Sequence, residues 1–272
     1  MRRVGLSGLL LLVWWSAGAA QASQTTWETF DRVLDVYVRD GLVYYNALRQ
    51  ERAVLDRVVA GLDAAPWATG SEADRKAGWV NAYNALVLRT VINAYPIRGT
   101  SPTYPPSSIA QVPGAMTQTR HRVAGEALTL DQIEQKVTTL GDARLLLALG
   151  RGALGGGRLR SEAYTPERLD DQLQAAVREF VTRADTFRID RTRGVVTVTP
   201  LASWREAALV STFSHGGEMW SNRSPLERAL MIMSYPHLFP SERQFLALNT
   251  FQLEFGAFDW RLNDLTGGGP AR

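Results

Sequence analysis

Apolar positions recur every three to four residues from Trp27 onward. Trp27, Phe30, Val33, Leu34, Tyr37 and Val38 fall on one stripe, which predicts an amphipathic helix over residues 27–39. Asp40-Gly41 then turns the chain, and Val43-Tyr44-Tyr45 reads as extended. Val54, Leu55, Val58, Val59 and Leu62 mark a second helix over 48–62, ended by the Pro66–Gly70 stretch. Ser71-Glu72-Ala73-Asp74 has the form of a capping box. The helix it opens should run to about Ala94 and stop before Pro96. Trp79, Val80, Tyr83, Leu86, Val87 and Val91 make that helix apolar on most sides, which predicts a central position.

Periodicity disappears over residues 96–114, where Pro96, Pro102, Pro105, Pro106 and Pro113 predict a long surface loop. Residues 121–128 read as a small hairpin, and Thr129-Leu130-Asp131-Gln132 caps a short helix with Ile133 and Val137 inward. Leu145–Leu149 reads as a buried strand. Thr165-Pro166-Glu167 opens a helix whose stripe is Leu169, Leu173, Ala176, Val177 and Phe180. Strands at 186–190 and 195–199 flank a turn. A short helix follows over 201–210, and residues 211–223 form a polar loop. Ser224-Pro225-Leu226-Glu227 caps a helix to about Ser234, a further helix opens at Ser241, and Phe251–Phe255 alternates as a strand. The fold class that results is α+β: about seven helices around a small, mostly antiparallel sheet, in a single domain over 23–264, with a flexible tail at 265–272.

Composition narrows the function classes. Hydrophobic content of 45% and charged content of 21% place the 272 residues among ordinary globular chains. Arg2 and Arg3, the apolar run Leu6–Trp15 and the Ala20-Gln21-Ala22 sequence have the layout of a secretory signal, so residues 1–22 are expected to be removed and the location to be periplasmic or secreted. The apolar run is short for a membrane span, and no stable anchor is expected after cleavage. Thirty basic against 27 acidic residues become 28 against 27 without Arg2 and Arg3. That near-balance argues against a nucleic-acid partner. There is no Cys, which excludes disulfides, thiolate ligands and thiol nucleophiles. His121, His215 and His237 share no metal-ligand spacing, so no metal and no cofactor is expected.

Candidate chemistry concentrates in Asp142–Tyr164. A strand there would empty into Gly150, Gly152, Gly155, Gly156 and Gly157, then Arg158, Arg160, Glu162 and Tyr164. Glycines at a strand end let a backbone approach a ligand, and Arg151, Arg158 and Arg160 would favour an anion. The other reading is a surface loop with solvated arginines. Asn81 and Asn84 share a helix face and either tie that helix to neighbouring backbone or line a pocket. Asp142 and Trp204 complete the candidate ligand-binding set. No catalytic residue is assigned.

In this order these elements resemble DUF547, a bacterial family of unknown function. The segments that carry the resemblance are Tyr37–Tyr45, Trp79-Val80-Asn81-Ala82-Tyr83-Asn84-Ala85-Leu86 with Tyr95-Pro96, Leu128–Glu134, Asp142–Phe180 and Phe258-Asp259-Trp260-Arg261-Leu262-Asn263. The resemblance also marks departures. The family pattern places a His at Leu146, cysteines at Arg151 and Gly156, and a Pro pair at Gly157 and Arg158. After Trp204 the pattern carries an acid that is displaced or missing here. In the family, such Cys and His residues imply a thiol site, a disulfide or a metal site. This chain keeps the frame, including Glu134, Arg144 and Asn263, without that equipment.

Three functions are therefore expected to compete. The first is an exported, non-catalytic binding or accessory protein with a small anionic ligand. The second is a divergent hydrolase built on Asp142, Glu162, Ser161 or His215. The third is an envelope protein that meets a protein partner through the Pro-rich 96–114 loop.

Overall fold

The computed structural model describes residues 26–266. The expected signal at 1–22 and residues 267–272 of the expected tail lie outside them. Leu265 N–H donates to the Val43 carbonyl and Thr266 bonds the Asp264 carboxylate, so ordered contacts continue to the end of the described chain.

Helix α1 spans residues 26–37 and buries the predicted stripe. Asp40 and Gly41 both have positive φ (57° and 83°), the two-residue geometry that closes a tight hairpin between β1 (Val38–Arg39) and β2 (Leu42–Val43). Tyr45 does not extend that strand. It opens α2 (Tyr45–Gln50), and a break at Arg52 separates α2 from α3 (Ala53–Gly61), so the single helix expected over 48–62 is two. Ser71 caps the long helix α4 (Glu72–Ala94): the Asp74 N–H donates to the Ser71 hydroxyl (3.1 Å), and the Ser71 N–H donates to the Asp74 carboxylate (2.9 Å). Almost every side chain from Ala77 to Leu88 is buried, because α2, α3 and α5 pack around α4. Gly78 is where Trp67 lies against the helix: a Cβ there would sit 2.2 Å from the indole.

The 96–114 loop is tied down by its own polar groups. The Gln111 side chain donates to the Ser101 and Tyr104 carbonyls, and Ser108 and Ile109 are buried. A hairpin of β3 (His121–Val123) and β4 (Glu126–Leu128) turns at Ala124-Gly125, and Thr129 caps α5 (Leu130–Thr138) with Gln132 returning the bond.

The expected strand at 145–149 is a helix. Asp142 accepts from the Arg144 N–H (3.0 Å), and the N–H groups of Leu145, Leu146 and Ala148 donate three residues back, which winds α6 (Arg144–Leu147). A five-residue apolar run fits either structure; the local turn in which the Asp142 carboxylate accepts from the Arg144 N–H favours the helix. The next helix, α7 (Leu169–Thr182), starts later than Thr165-Pro166 predicts. The Gln172 side chain accepts from the Thr165 N–H and donates to the Ala163 carbonyl, which holds that segment extended.

β5 (Phe187–Asp190) and β6 (Val195–Val198) pair antiparallel, and β7 (Gln252–Phe255) joins β6 in parallel, from Val195 opposite Gln252 to Val198 opposite Phe255. Between them lie α8 (Leu201–Trp204), α9 (Glu206–Thr212), α10 (Pro225–Ser234) and α11 (Pro240–Ala247). A break at Arg205 splits the expected 201–210 helix. Ser224 and Glu227 form the expected capping box of α10. α11 begins at Pro240, one residue before the expected Ser241, because Glu242 accepts from the Phe239 N–H.

The interior forms two apolar clusters. One gathers α1–α5 with Leu145, Leu146, Leu169 and Leu173. The other gathers β5–β7 and α9–α11 with Ala143, Leu147, Val177, Phe180 and Val181. α6 and α7 thus face both. The whole is mixed α+β and mostly helical, in one domain. It has eleven helices among the described residues where about seven were expected, and three small sheets instead of one.

Candidate functional site

The glycine segment after α6 is interior. Gly150, Arg151, Gly152, Ala153, Gly155, Gly156 and Gly157 are all buried. Gly157 N–H donates to the Leu149 carbonyl (2.9 Å), and a Cβ on Gly157 would lie 2.1 Å from the Leu147 oxygen. A Cβ on Gly156 would lie 2.6 Å from the Gly150 oxygen. The glycines therefore let the chain fold onto itself and do not open it to a ligand. The C-terminal segment closes over them: Leu154 and Gly155 N–H donate to the Arg261 and Asp259 carbonyls, and Ala153 bridges to Leu262.

Asn81 and Asn84 hold this segment to α4 from inside. Asn84 donates to the Ala148 carbonyl (3.1 Å) and accepts from the Gly150 N–H (2.9 Å). Asn81 donates to the Tyr164 carbonyl (2.8 Å) and accepts from the Tyr164 N–H (2.9 Å). Each amide spends one N–H and one acceptor position on backbone and is buried, so both serve as ties between α4 and this segment. Tyr164 is buried beside them. Asp142 is committed to Arg144, which also reaches Asp170.

The three candidate arginines part company. Arg151 and Gly152 both have positive φ (50° and 65°), and that turn sends Arg151 inward. Its guanidinium meets Glu134 of α5, and Glu134 takes a second guanidinium from Arg205. Only 3% of the Glu134 side chain and 8% of Arg151 is exposed, against 25% of Arg205. The Trp204 ring lies 5.9 Å from the Arg151 guanidinium. Tyr83, wholly buried next to these charges, has a hydroxyl with no partner, and burial pushes its pKa up, so it stays a neutral phenol. Arg205 Nε is likewise without a partner.

Arg158 and Arg160 face outward. Arg158 lines a cleft of about 280 Å³ with Asp40, Gly41, Arg183 and Asn263, and adjoins a second of about 240 Å³ with Arg160, Ser161, Glu162 and Glu179. Arg160 bonds Glu162 (2.8 Å) and Glu179 (3.1 Å). Burial alone would raise the Glu162 pKa, but hydrogen bonds from Arg168, Arg160 and Gln172 outweigh it and hold the carboxyl below the usual carboxylate range. Arg158 has the loosest tether: its near partner, Asp40, is 87% exposed, and Glu179 is 3.7 Å away. Arg183 donates to the Leu154 carbonyl and pairs with Asp185.

The residues proposed for hydrolysis do not converge. Ser161 and Glu162 lie on the second cleft, and Asp142 is held by Arg144. The His215 ring meets only the Ser214 hydroxyl (3.1 Å), on an exposed loop. No hydrogen bond or ion pair among the described residues joins these groups. Among the described residues no group of three or more His, Asp or Glu side chains is placed to hold a metal ion, and no helix is long and apolar enough to cross a membrane.

Of the nine candidate residues, the structure gathers Arg151 and Trp204 into one cluster and Arg158, Arg160 and Glu162 along one cleft. It leaves Asn81, Asn84 and Tyr164 as framework and Asp142 paired with Arg144. Sequence reasoning missed Glu134 as a counter-charge, Arg205, Tyr83, Asp40 and Arg183. Glu134 carried one usable signal: an acid next to the inward Ile133, on a helix too short to hide it without a partner.

A mostly helical α+β domain with a buried Arg–Glu–Arg cluster behind a glycine-rich turn is the class these features define. Residues 68–181 match the family model of DUF547, described as a protein of unknown function. No curated protein and no solved structure matches this chain.

Proposed function

We propose that this chain is an exported, non-catalytic binding or accessory protein of the DUF547 type, and that a small anion enters the Arg158 cleft. One observation carries the reading. The positions at which the resemblance places a His and a first Cys hold Leu146, packed in the core, and Arg151, locked to Glu134. Neither side chain can attack a substrate or pass a proton at neutral pH. Arg151, expected among the anion ligands, is replaced in that role by Arg183, which lines the cleft with Arg158. An incoming carboxylate or phosphate would displace the exposed Asp40 from Arg158, a pairing that contributes little in water. Export rests on residues 1–22 and predicts a mature chain that begins at Ser23.

Calorimetric titration of the mature protein with inorganic phosphate and with citrate tests the ligand. Arg158→Ala should weaken binding about tenfold, the scale of one charge-assisted hydrogen bond. Asp40→Asn should strengthen it. Equal affinity in all three proteins would end the assignment of the cleft. Turnover of ester or amide substrates by the purified chain would end the non-catalytic reading. Native mass spectrometry of the protein from the exported fraction of its own host would show any retained ligand as a defined added mass.

A further inference from the structure

The two clefts beside Arg158 form a groove with a charge step in it. Asp40, Gly41 and Arg158 line both and stand at their boundary. On one side Arg158 and Arg183 face a single carboxylate, Asp40. On the other, Arg158 and Arg160 face three, Asp40, Glu162 and Glu179. The groove is therefore basic at one end and acidic at the other. Each cleft alone, at about 280 and 240 Å³, falls below the roughly 300–1,000 Å³ usual for a small-ligand pocket, and the two together fall within it.

Most of these charges are already paired. Glu162 is held by Arg160 and Arg168, Glu179 by Arg160, and Arg183 by Asp185. The open capacity lies at the boundary. Arg158 makes one hydrogen bond among the described residues, from Nη2 to Asp40 Oδ1, and Glu179 stands 3.7 Å from its Nη1. Asp40 Oδ2 has no partner among them, and its side chain is 87% exposed. Both groups are nonetheless held in place. A Cβ on Gly41 would lie 2.7 Å from Arg158 Cγ, so the arginine stem rests on the turn that carries Asp40. Buried Asn263 anchors that turn: its amide donates to the Gly41 carbonyl (2.9 Å) and accepts from the Tyr45 hydroxyl (2.7 Å).

A simple anion would fill the free Arg158 donors and leave the Asp40 carboxylate beside it as a like charge. A zwitterion uses both groups, with its carboxylate on the guanidinium and its ammonium on the free carboxylate oxygen. Leu42, Ala153 and Leu154 add an apolar wall at the basic end, where an uncharged side chain can rest. We propose that the groove takes a short peptide with free ends, its carboxylate on Arg158 in the basic cleft and its ammonium on Asp40 toward the acidic one, an assignment that rests on Arg158 as the anion ligand.

Trialanine, titrated by calorimetry into the mature protein, is the probe. Beside it stand N-acetyl-trialanine, which keeps only the carboxylate, and trialanine amide, which keeps only the ammonium. Trialanine should bind at least fivefold tighter than either capped form. Arg158→Ala should weaken trialanine and N-acetyl-trialanine alike, by about tenfold. Asp40→Asn, a side chain that tolerates the positive φ of that turn, should weaken trialanine several-fold and strengthen N-acetyl-trialanine. A site for simple anions would instead gain affinity for both. Equal binding of trialanine and N-acetyl-trialanine, a gain for both in Asp40→Asn, or no binding of trialanine where phosphate binds would overturn the peptide and leave the anion cleft standing. Unchanged affinity for phosphate and for both peptides in Arg158→Ala would overturn the two together.

Discussion

A carboxylate as deeply buried as Glu134 must be compensated where it sits, because desolvation of an unpaired charge costs several kcal/mol. Arg151 and Arg205 supply that compensation from two separate loops, and the core around them has formed to fit three charged side chains. Glu134→Gln should therefore destabilise the protein by about 3–5 kcal/mol, since it leaves two guanidinium groups facing each other with no anion between them. Urea unfolding at neutral pH would measure it. A loss below about 1 kcal/mol would mean that solvent reaches the cluster. The partners of Glu134 could not be read in advance. Its place on an amphipathic helix was visible, but Arg151 and Arg205 reach it only through turns whose backbone geometry no local pattern announces. Asn81 and Asn84 were more legible. Two amides three residues apart on a helix that is apolar all round must find partners, and backbone was one of the two destinations expected.

At the level of elements, legibility followed how local the controlling interaction is. The capping boxes at Ser71, Thr129 and Ser224 and the turns at Asp40-Gly41 and Ala124-Gly125 are set by residues within four positions, and all were visible in the sequence. Breaks at Arg52 and Arg205 were not, because apolar spacing continues across them. The run Leu145–Leu149 was misread as a strand because the same pattern serves a buried helical turn, and the hydrogen bond from Arg144 N–H to Asp142 that settles the matter adds no hydrophobic signal. The glycines that follow were legible as a special backbone and misjudged as an open one. Gly157→Ala tests that correction. The added methyl meets the Leu147 carbonyl, which is backbone and cannot swing aside, so a loss of roughly 3 kcal/mol is expected. Thermal unfolding indistinguishable from wild type would restore the open loop.

On the scale of the whole molecule, two apolar clusters share one partition, and each half holds a histidine under strain from its surroundings. Burial, and then Arg89, holds His121 below the ordinary imidazole pKa; His121 Nε2 has no partner. Burial, with Arg178 and Arg243, does the same to His237. A depressed folded pKa means that the unfolded chain takes up the proton first as pH falls. Stability contributed by the neutral rings is complete above about pH 6.5 and is lost as pH drops through the folded values. Glu162 and Asp259, also depressed, add a second loss below the ordinary carboxylate range. The urea midpoint should thus decline in two stages on acidification. His121→Gln should make the upper stage shallower, leaving the part due to His237, and leave the lower stage unchanged; a wild-type profile level from pH 7 to pH 5 would show that neither histidine matters.

The way Asn84 grips the segment after α6 has a consequence for how such a protein changes over generations. Its amide reads main-chain atoms of Ala148 and Gly150, and the close turns at Gly156 and Gly157 read main-chain atoms as well. None of these contacts inspects the side chain at position 151. The mould of the segment is set apart from its contents, so the side chain at position 151 can change its chemistry while the backbone cast around it stays the same.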